Sequence, residues 1–210
     1  MAERPARRSR KPRSARVVRT ERLTPHMQRV VLGGEGLAGP WAARVQPGEV
    51  IHFTGPGGAY APDTAADWHL LAGDESALPA IGAALEALPD GAVAHAFVEI
   101  SGPEEEQKFA ADVDVVWLHR GNRPVGAALV EAVRALEFPE GRMHAFVHGE
   151  AGFVKELRRL LRVELSIPRE DMSISGYWRQ GHNEDGWQAS KREWNAQVEA
   201  EQEAPIAAAS

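Results

Sequence analysis

Four short segments hold residue types that could handle a nucleotide or a flat redox ring. The first is Gly73-Asp74-Glu75-Ser76, which ends an apolar run and opens a helical pattern. A glycine at a strand end lets a ligand approach the backbone. Ser76 is placed to cap the helix that follows, and a helix N-terminus favours phosphates or polarised cofactor atoms. The second is His119-Arg120-Gly121-Asn122-Arg123, where Arg120 and Arg123 suit a phosphate because guanidinium groups pair with it in a fork. The third is Gly149-Glu150-Ala151, another glycine turn into a helix, and the fourth is Tyr177-Trp178, whose rings could cover a flat ligand. Each has a plainer reading: an ordinary strand-to-helix turn, solvated loop charges, or aromatic packing on the last helix. The residues alone leave both readings open.

Other chemistries find less support. Gly34-Glu35-Gly36-Leu37-Ala38-Gly39 fits G-x-G-x-x-G literally, but Pro40 follows and Pro47-Gly48 comes soon after. That leaves too little chain for the crossover helix a dinucleotide fingerprint must open. His144 and His148 fall on one side of a strand with no carboxylate companion in sequence, so strand packing is expected rather than metal binding. The chain has no cysteine, which excludes disulfides, thiolate nucleophiles, Cys-ligated zinc and iron–sulfur clusters. It has no G-x-S-x-G elbow and no phosphate-binding P-loop. No catalytic acid, base or nucleophile and no metal ligand is assigned. A cofactor that carries its own chemistry fits better.

The elements that must position these segments follow from periodicity. Arg16–Arg19, Met27–Leu32 and Glu49–Thr54 read as strands of a small antiparallel β unit, the last set off by Pro47-Gly48 before it and Gly55-Pro56-Gly57-Gly58 after it. From Ala61-Pro62 onward, strands and helices alternate. The expected strands are Trp68–Ala72, Ala92–Ile100, Val113–His119, Met143–His148 and Met172–Trp178. The expected helices are Glu75–Leu88, Pro124–Leu136, Phe153–Leu165 and Glu184–Glu199. Such alternation predicts an α/β fold with a doubly wound parallel sheet. In an open parallel sheet, ligands bind at the carboxyl ends of the strands, which is where all four segments fall.

Length and composition bound the rest. With 210 residues, 43% hydrophobic and 26% charged, the chain reads as one globular domain or two small ones. Residues 1–22 carry nine Arg or Lys and two Glu, net +7, while the other 188 carry 15 basic and 28 acidic residues, net −13. A disordered basic arm over residues 1–13 is expected, and so is a disordered tail over residues 200–210. Nucleic acid is not an expected partner, because the body is acidic and poor in interleaved aromatic and basic residues. No apolar run approaches the ~20 residues of a membrane helix, and no apolar h-region follows the N-terminal basic residues, so a cytoplasmic protein without membrane insertion is expected.

Several stretches resemble the siderophore-interacting protein family. They are Arg22-Leu23-Thr24-Pro25-His26-Met27-Gln28-Arg29-Val30, Gly55-Pro56-Gly57-Gly58, Asp67-Trp68 leading into Ala72-Gly73-Asp74-Glu75-Ser76-Ala77-Leu78-Pro79-Ala80, Trp117-Leu118-His119-Arg120 and Gly149-Glu150-Ala151. The closing run is the most specific: Ser175-Gly176-Tyr177-Trp178-Arg179, then Glu184-Asp185-Gly186-Trp187 and Lys191-Arg192-Glu193-Trp194. The resemblance spans about residues 14–199. It implies a flavin reductase of the ferredoxin-reductase type, with FAD on an N-terminal barrel and NADPH or NADH on a C-terminal α/β domain. Electrons would pass to the iron of a ferric siderophore, releasing ferrous iron. By the same resemblance, Gly73, Asp74, Glu75 and Ser76 lie beside the nicotinamide–flavin junction, and Gly149, Glu150 and Ala151 line the opposite wall. Tyr177 and Trp178 sit near the flavin or nicotinamide ring, and Arg120 and Arg123 meet cofactor phosphates. Lys155, Arg179, Lys191 and Arg192 attract an anionic ferric siderophore.

The sequence departs from the family at one place. It has no Arg-x-Tyr-Thr-x-Arg, whose Arg, Tyr and Thr hold the flavin in these barrels. A six-stranded barrel needs roughly 60 residues or more, and only about 45 lie between Ser14 and Gly58. The expected organisation is therefore a shortened barrel remnant over 14–60 followed by an NAD(P)H-binding domain over 61–199. Unpaired barrel edges would favour homo-oligomers. Two readings follow: a ferric-siderophore reductase, or a non-catalytic NAD(P)-binding or interaction remnant that has lost its flavin.

Overall fold

In the computed structural model, residues 13–22, 28–32, 45–53, 60–109 and 113–209 are described. The G-x-G-x-x-G stretch, Gly55–Gly58 and most of the basic arm lie outside them. The chain divides into two compact units, Met1–Ala59 and Tyr60–Ser210.

In the first unit, β1 (Arg13–Arg22), β2 (Gln28–Leu32) and β3 (Val50–Phe53) form an antiparallel sheet in the order β2-β1-β3. The register shifts between Val17 and Arg19. Val17 is buried and bonds to the Pro47-Gly48 turn through the Gly48 N–H and the Glu49 carbonyl. β1 is much longer than the four-residue strand expected and already begins at Arg13. Barrel closure concerns residues 23–27, 33–44 and 54–59, which are outside the described residues.

Among the described residues, the second unit has five strands: β4 (Trp68–Asp74), β5 (Val93–Ile100), β6 (Val115–His119), β7 (Met143–Glu150) and β8 (Met172–Trp178). All pairs are parallel, in the order β6-β5-β4-β7-β8. β4 and β7 are buried at every residue, as central parallel strands covered on both faces must be. Side chains alternate along a strand. Trp68, Leu70, Ala72, Met143, Ala145 and Val147 share one face. There they pack against α2 (Ala127–Ala135) through Leu129 and Val133, and against α3 (Ala151–Arg159) through Phe153, Val154 and Leu157. Burying each Leu contributes about 1.5–3 kcal/mol. α1 (Leu78–Glu86) covers the opposite face, where the Gly73 position packs against Ala77 and Ile81.

Two helix ends differ from the sequence expectation. α3 gives way to a π-turn over Leu160–Glu164, closed by the Leu165 N–H on the Leu160 carbonyl. Ser166, at φ +56°, then bends the chain away from the helix. The last helix, α4, runs Glu184–Ala209, so residues 200–209 of the tail expected to be disordered continue it. Glu199, Glu201 and Glu203 are held by Arg169, Lys155, Arg158 and Arg162.

Candidate functional site

The strand order reverses between β4 and β7. β4 continues outward through β5 and β6, and the chain then crosses to β7 and β8 on the other side. Crevices for ligands open at such a switch, at the carboxyl ends of the strands. Gly73-Asp74 ends β4 and Gly149-Glu150 ends β7, so the first and third candidate segments meet there.

Asp74 is fully buried and ties three strands together. Its Oδ1 accepts from the Ser76 N–H at 2.9 Å and the Ser76 hydroxyl at 2.5 Å. Its Oδ2 accepts from the Glu150 N–H at 2.8 Å and the Trp178 indole N–H at 2.9 Å. Burial pushes its pKa up, and hydrogen bonds from Ser76, Trp178 and Glu150 pull against that. Gly149, at φ +143°, makes this approach possible: a Cβ there would stand 2.7 Å from the Asp74 carboxyl carbon. Ser76 does not cap α1; its hydroxyl turns back to Asp74, and the N-cap position is Ala77. The Gly73 backbone is not open to a ligand on its side-chain face, since a Cβ would meet the His148 carbonyl at 2.6 Å and Ala77 at 2.7 Å.

Two more carboxylates repeat the pattern. Glu150 caps α3, with Oε2 accepting from the Gly152 N–H at 2.5 Å and the Phe153 N–H at 3.4 Å, while Oε1 accepts from the Gln180 N–H. Glu99, fully buried near the end of β5, accepts from the Gly126 N–H at the head of α2 at 2.8 Å. Its Oε2 is buried without a partner. Thus β4, β5 and β7 each bring a carboxylate to amides at the head of a helix, where negative charge is stabilised.

The two arginines are engaged by carboxylates. Arg120 forms a fork on Glu75 at 2.8 and 3.1 Å and lies 3.6 Å from Glu99, and Arg123 pairs with Glu131 at 2.5 Å. Ala151 begins α3 and is buried against β8, where a Cβ on Gly176 would meet it at 3.1 Å. Trp178 is fixed by Asp74. Tyr177 packs its ring 4.9 Å from His148, and burial raises its pKa, as does the Asp74 charge.

The sequence profile described as siderophore-interacting protein matches residues 66–181, more than half of the chain. The chain belongs to the siderophore-interacting protein family. An uncharacterised protein of Mycobacterium tuberculosis is 50% identical over 178 residues, covering 78% of this chain and 63% of that protein. Ferric vibriobactin reductase ViuB of Vibrio cholerae is 36% identical over 162 residues, covering 75% of this chain and 60% of ViuB. A siderophore utilization protein from T. fusca superposes with TM-score 0.73 at 29% identity, covering 82% of this chain and 94% of that one. The chain spans only about 60–63% of the length of the first two relatives.

The four cations that the siderophore-interacting resemblance points to do not gather in one described cavity. Lys155 lines a hollow of about 220 Å³ between α3, β8 and α4, and its ammonium pairs with Glu201 at 2.6 Å. Lys191 lies over the Trp187 ring, Arg192 is exposed on α4, and Arg179 is half-buried just after β8. Sequence reasoning missed the ring system on the α1 face of β7. His148 stacks on Phe146 at 4.0 Å and its Nε2 meets the Ser173 hydroxyl at 3.0 Å. Burial pushes its pKa down to about 4. His144 accepts the Asp63 N–H and stacks on Tyr60, whose phenol burial raises to about 12. The spacing of His144 and His148 predicts their shared face, but the partners come from distant segments. Among the described residues no helix is long and apolar enough to cross a membrane.

Proposed function

We propose that the second unit binds a reduced nicotinamide dinucleotide along the carboxyl edge of its sheet, and that the chain works as a reductase of ferric siderophore iron. The observation that carries this reading is the strand reversal between β4 and β7 with Gly73–Ser76 and Gly149–Ala151 meeting beside it. The names of ViuB, a ferric vibriobactin reductase, and of the T. fusca siderophore utilization protein support the siderophore as substrate.

The edge fits such a cofactor in one respect. A hollow of about 450 Å³ opens between the heads of α2 and α3, with an apolar wall of Val125, Val130 and Phe153 that suits a nucleoside. When bound, the nicotinamide supplies hydride. The chain's own residues supply a rigid rim: Asp74 fixes Trp178 and the Glu150 backbone, Glu150 holds the Gln180 loop, and Arg120 braces Glu75. For FAD, the family's flavin-holding motif Arg-x-Tyr-Thr-x-Arg has no counterpart in the sequence. Location in the cytoplasm and self-association through the outer strands β2 and β3 belong to this reading as well.

The missing motif favours a second reading, a dinucleotide-binding module without redox turnover. Purified protein is mixed with FAD, the excess is removed, and the visible spectrum is recorded. A retained flavin band that NADH or NADPH bleaches and a ferric siderophore restores supports the reductase. Colourless protein that still binds a dinucleotide supports the module.

A further inference from the structure

We propose that the hollow between α3, β8 and α4 is a second ligand site of the α/β unit, suited to a small aromatic carboxylate. It shares no lining residue with the hollow between the heads of α2 and α3. Its volume of about 220 Å³ leaves room for one ring system. Val154 of α3, Met172 and Ile174 of β8, and Trp194 and Val198 of α4 give it apolar walls, and the indole among them suits an aromatic body. Ser175 and Gly176 bring β8 itself to the hollow. β8 is the last strand of its sheet, so among the described residues one side of its backbone has no neighbouring strand. The N–H and C=O groups on that side are hydrogen-bonding partners for a ligand.

The charge around the hollow selects an anion. Lys155, Arg158 and Arg169 line it against a single carboxylate, Glu199. Beside it, Glu201 meets Lys155, while Glu203 is shared by Arg158 and Arg162. Among these residues four cations face three carboxylates, so positive charge is in excess. The cations also have donors to spare. A guanidinium carries five N–H donors and an ammonium three. Arg169 is bonded through one nitrogen to Glu199, and Lys155 once to Glu201. The Arg169 and Glu199 side chains are 67% and 45% exposed, and an ion pair so open to water is weak. A ligand carboxylate can therefore replace Glu199 on Arg169 and gain a charge-assisted fork. A neutral ring would gain the apolar walls alone, and a cation would be repelled.

The test is isothermal titration of the full chain at low salt with 2-naphthoate and with its neutral counterpart, 2-naphthalenemethanol. The expected result is one site for naphthoate, with the alcohol about tenfold or more weaker because it lacks the charge-assisted bonds. Arg169→Gln should weaken naphthoate about tenfold and Glu199→Gln should tighten it about threefold, since one removes the partner and the other its competitor. Both side chains are exposed, so neither change threatens the core, and circular dichroism checks the fold. Arg134→Gln, on α2 outside the hollow, should leave the affinity unchanged. No naphthoate binding up to about 10 mM overturns the site. Alcohol binding as tight as naphthoate, or an affinity that either Arg169→Gln or Glu199→Gln leaves unmoved, overturns it as well. Competitive displacement of naphthoate by NADH overturns its independence and makes the hollow part of the dinucleotide site. Failure of the chain to bind NADH overturns the dinucleotide reading alone.

Discussion

Asp74 shows how much one carboxylate can organise. Its two oxygens receive four donors, two from Ser76 in the turn after β4 and one each from β7 and β8, and a removed partner leaves buried N–H groups unsatisfied at about 1–3 kcal/mol each. Asp74→Ala is therefore expected to cost about 3 kcal/mol or more and Asp74→Asn less, read as a shift in urea midpoint at constant slope. His148 is a second test at this scale. Its folded pKa of about 4 lies below the ordinary 6.5, so the unfolded chain takes up its proton first as the pH falls. The stability it contributes is complete above pH 6.5 and is lost progressively as pH falls toward 4, by about 3 kcal/mol. His69 and His144 shift in the same direction, chiefly through burial. Urea titrations between pH 7 and 4.5 should show a steeper loss for wild type than for His148→Gln; parallel profiles would remove His148 as a cause.

Elements end where tertiary partners let them. The π-turn after α3 closes with Ser166 in a left-handed conformation that costs an L-residue about 1 kcal/mol. Ser166→Gly should raise stability by about 0.5–1 kcal/mol, visible as a higher melting temperature; a fall would mean the serine side chain contributes something else. α4 persists because Glu203 meets Arg158 at 2.6 Å and Arg162 at 2.8 Å, and because Gln202 is buried and donates to the Lys155 carbonyl. Partly exposed ion pairs contribute at most about 1 kcal/mol each. Glu203→Gln should therefore cost about 1 kcal/mol at low salt and less at high salt, while deletion of residues 200–210 should cost about 2 kcal/mol. If the deletion leaves the thermal midpoint unchanged, the helix end is ornamental to the fold.

At the scale of the whole chain, the deciding feature is the order of strands, because it sets which loops share an edge. A ligand that binds the folded chain and not the unfolded one stabilises it by about 2.7 kcal/mol at a hundred times its dissociation constant. Saturating NADH or NADPH should therefore raise the melting temperature. An unchanged midpoint with both would leave the edge without a nucleotide.

Local periodicity was enough to place the strands and helices of the second unit, because burial on one or both faces leaves its mark within a few residues of chain. The glycine turns at 73 and 149 were legible for the same reason, and the stretches shared with the siderophore-interacting family marked the edge as the place to look. What the turns do was not legible. Trp178 reaches Asp74 across 104 residues of sequence and the Glu150 amide reaches it across 76. Arg120 and Arg123 read as phosphate ligands until folding sets Glu75, Glu99 and Glu131 beside them. The end of α4 read as disordered because its polar residues have nothing to bury locally, while their partners lie 41 to 47 residues earlier in the chain. Charge pairing and hydrogen-bond satisfaction depend on distance in space, and only the tertiary structure decided those distances.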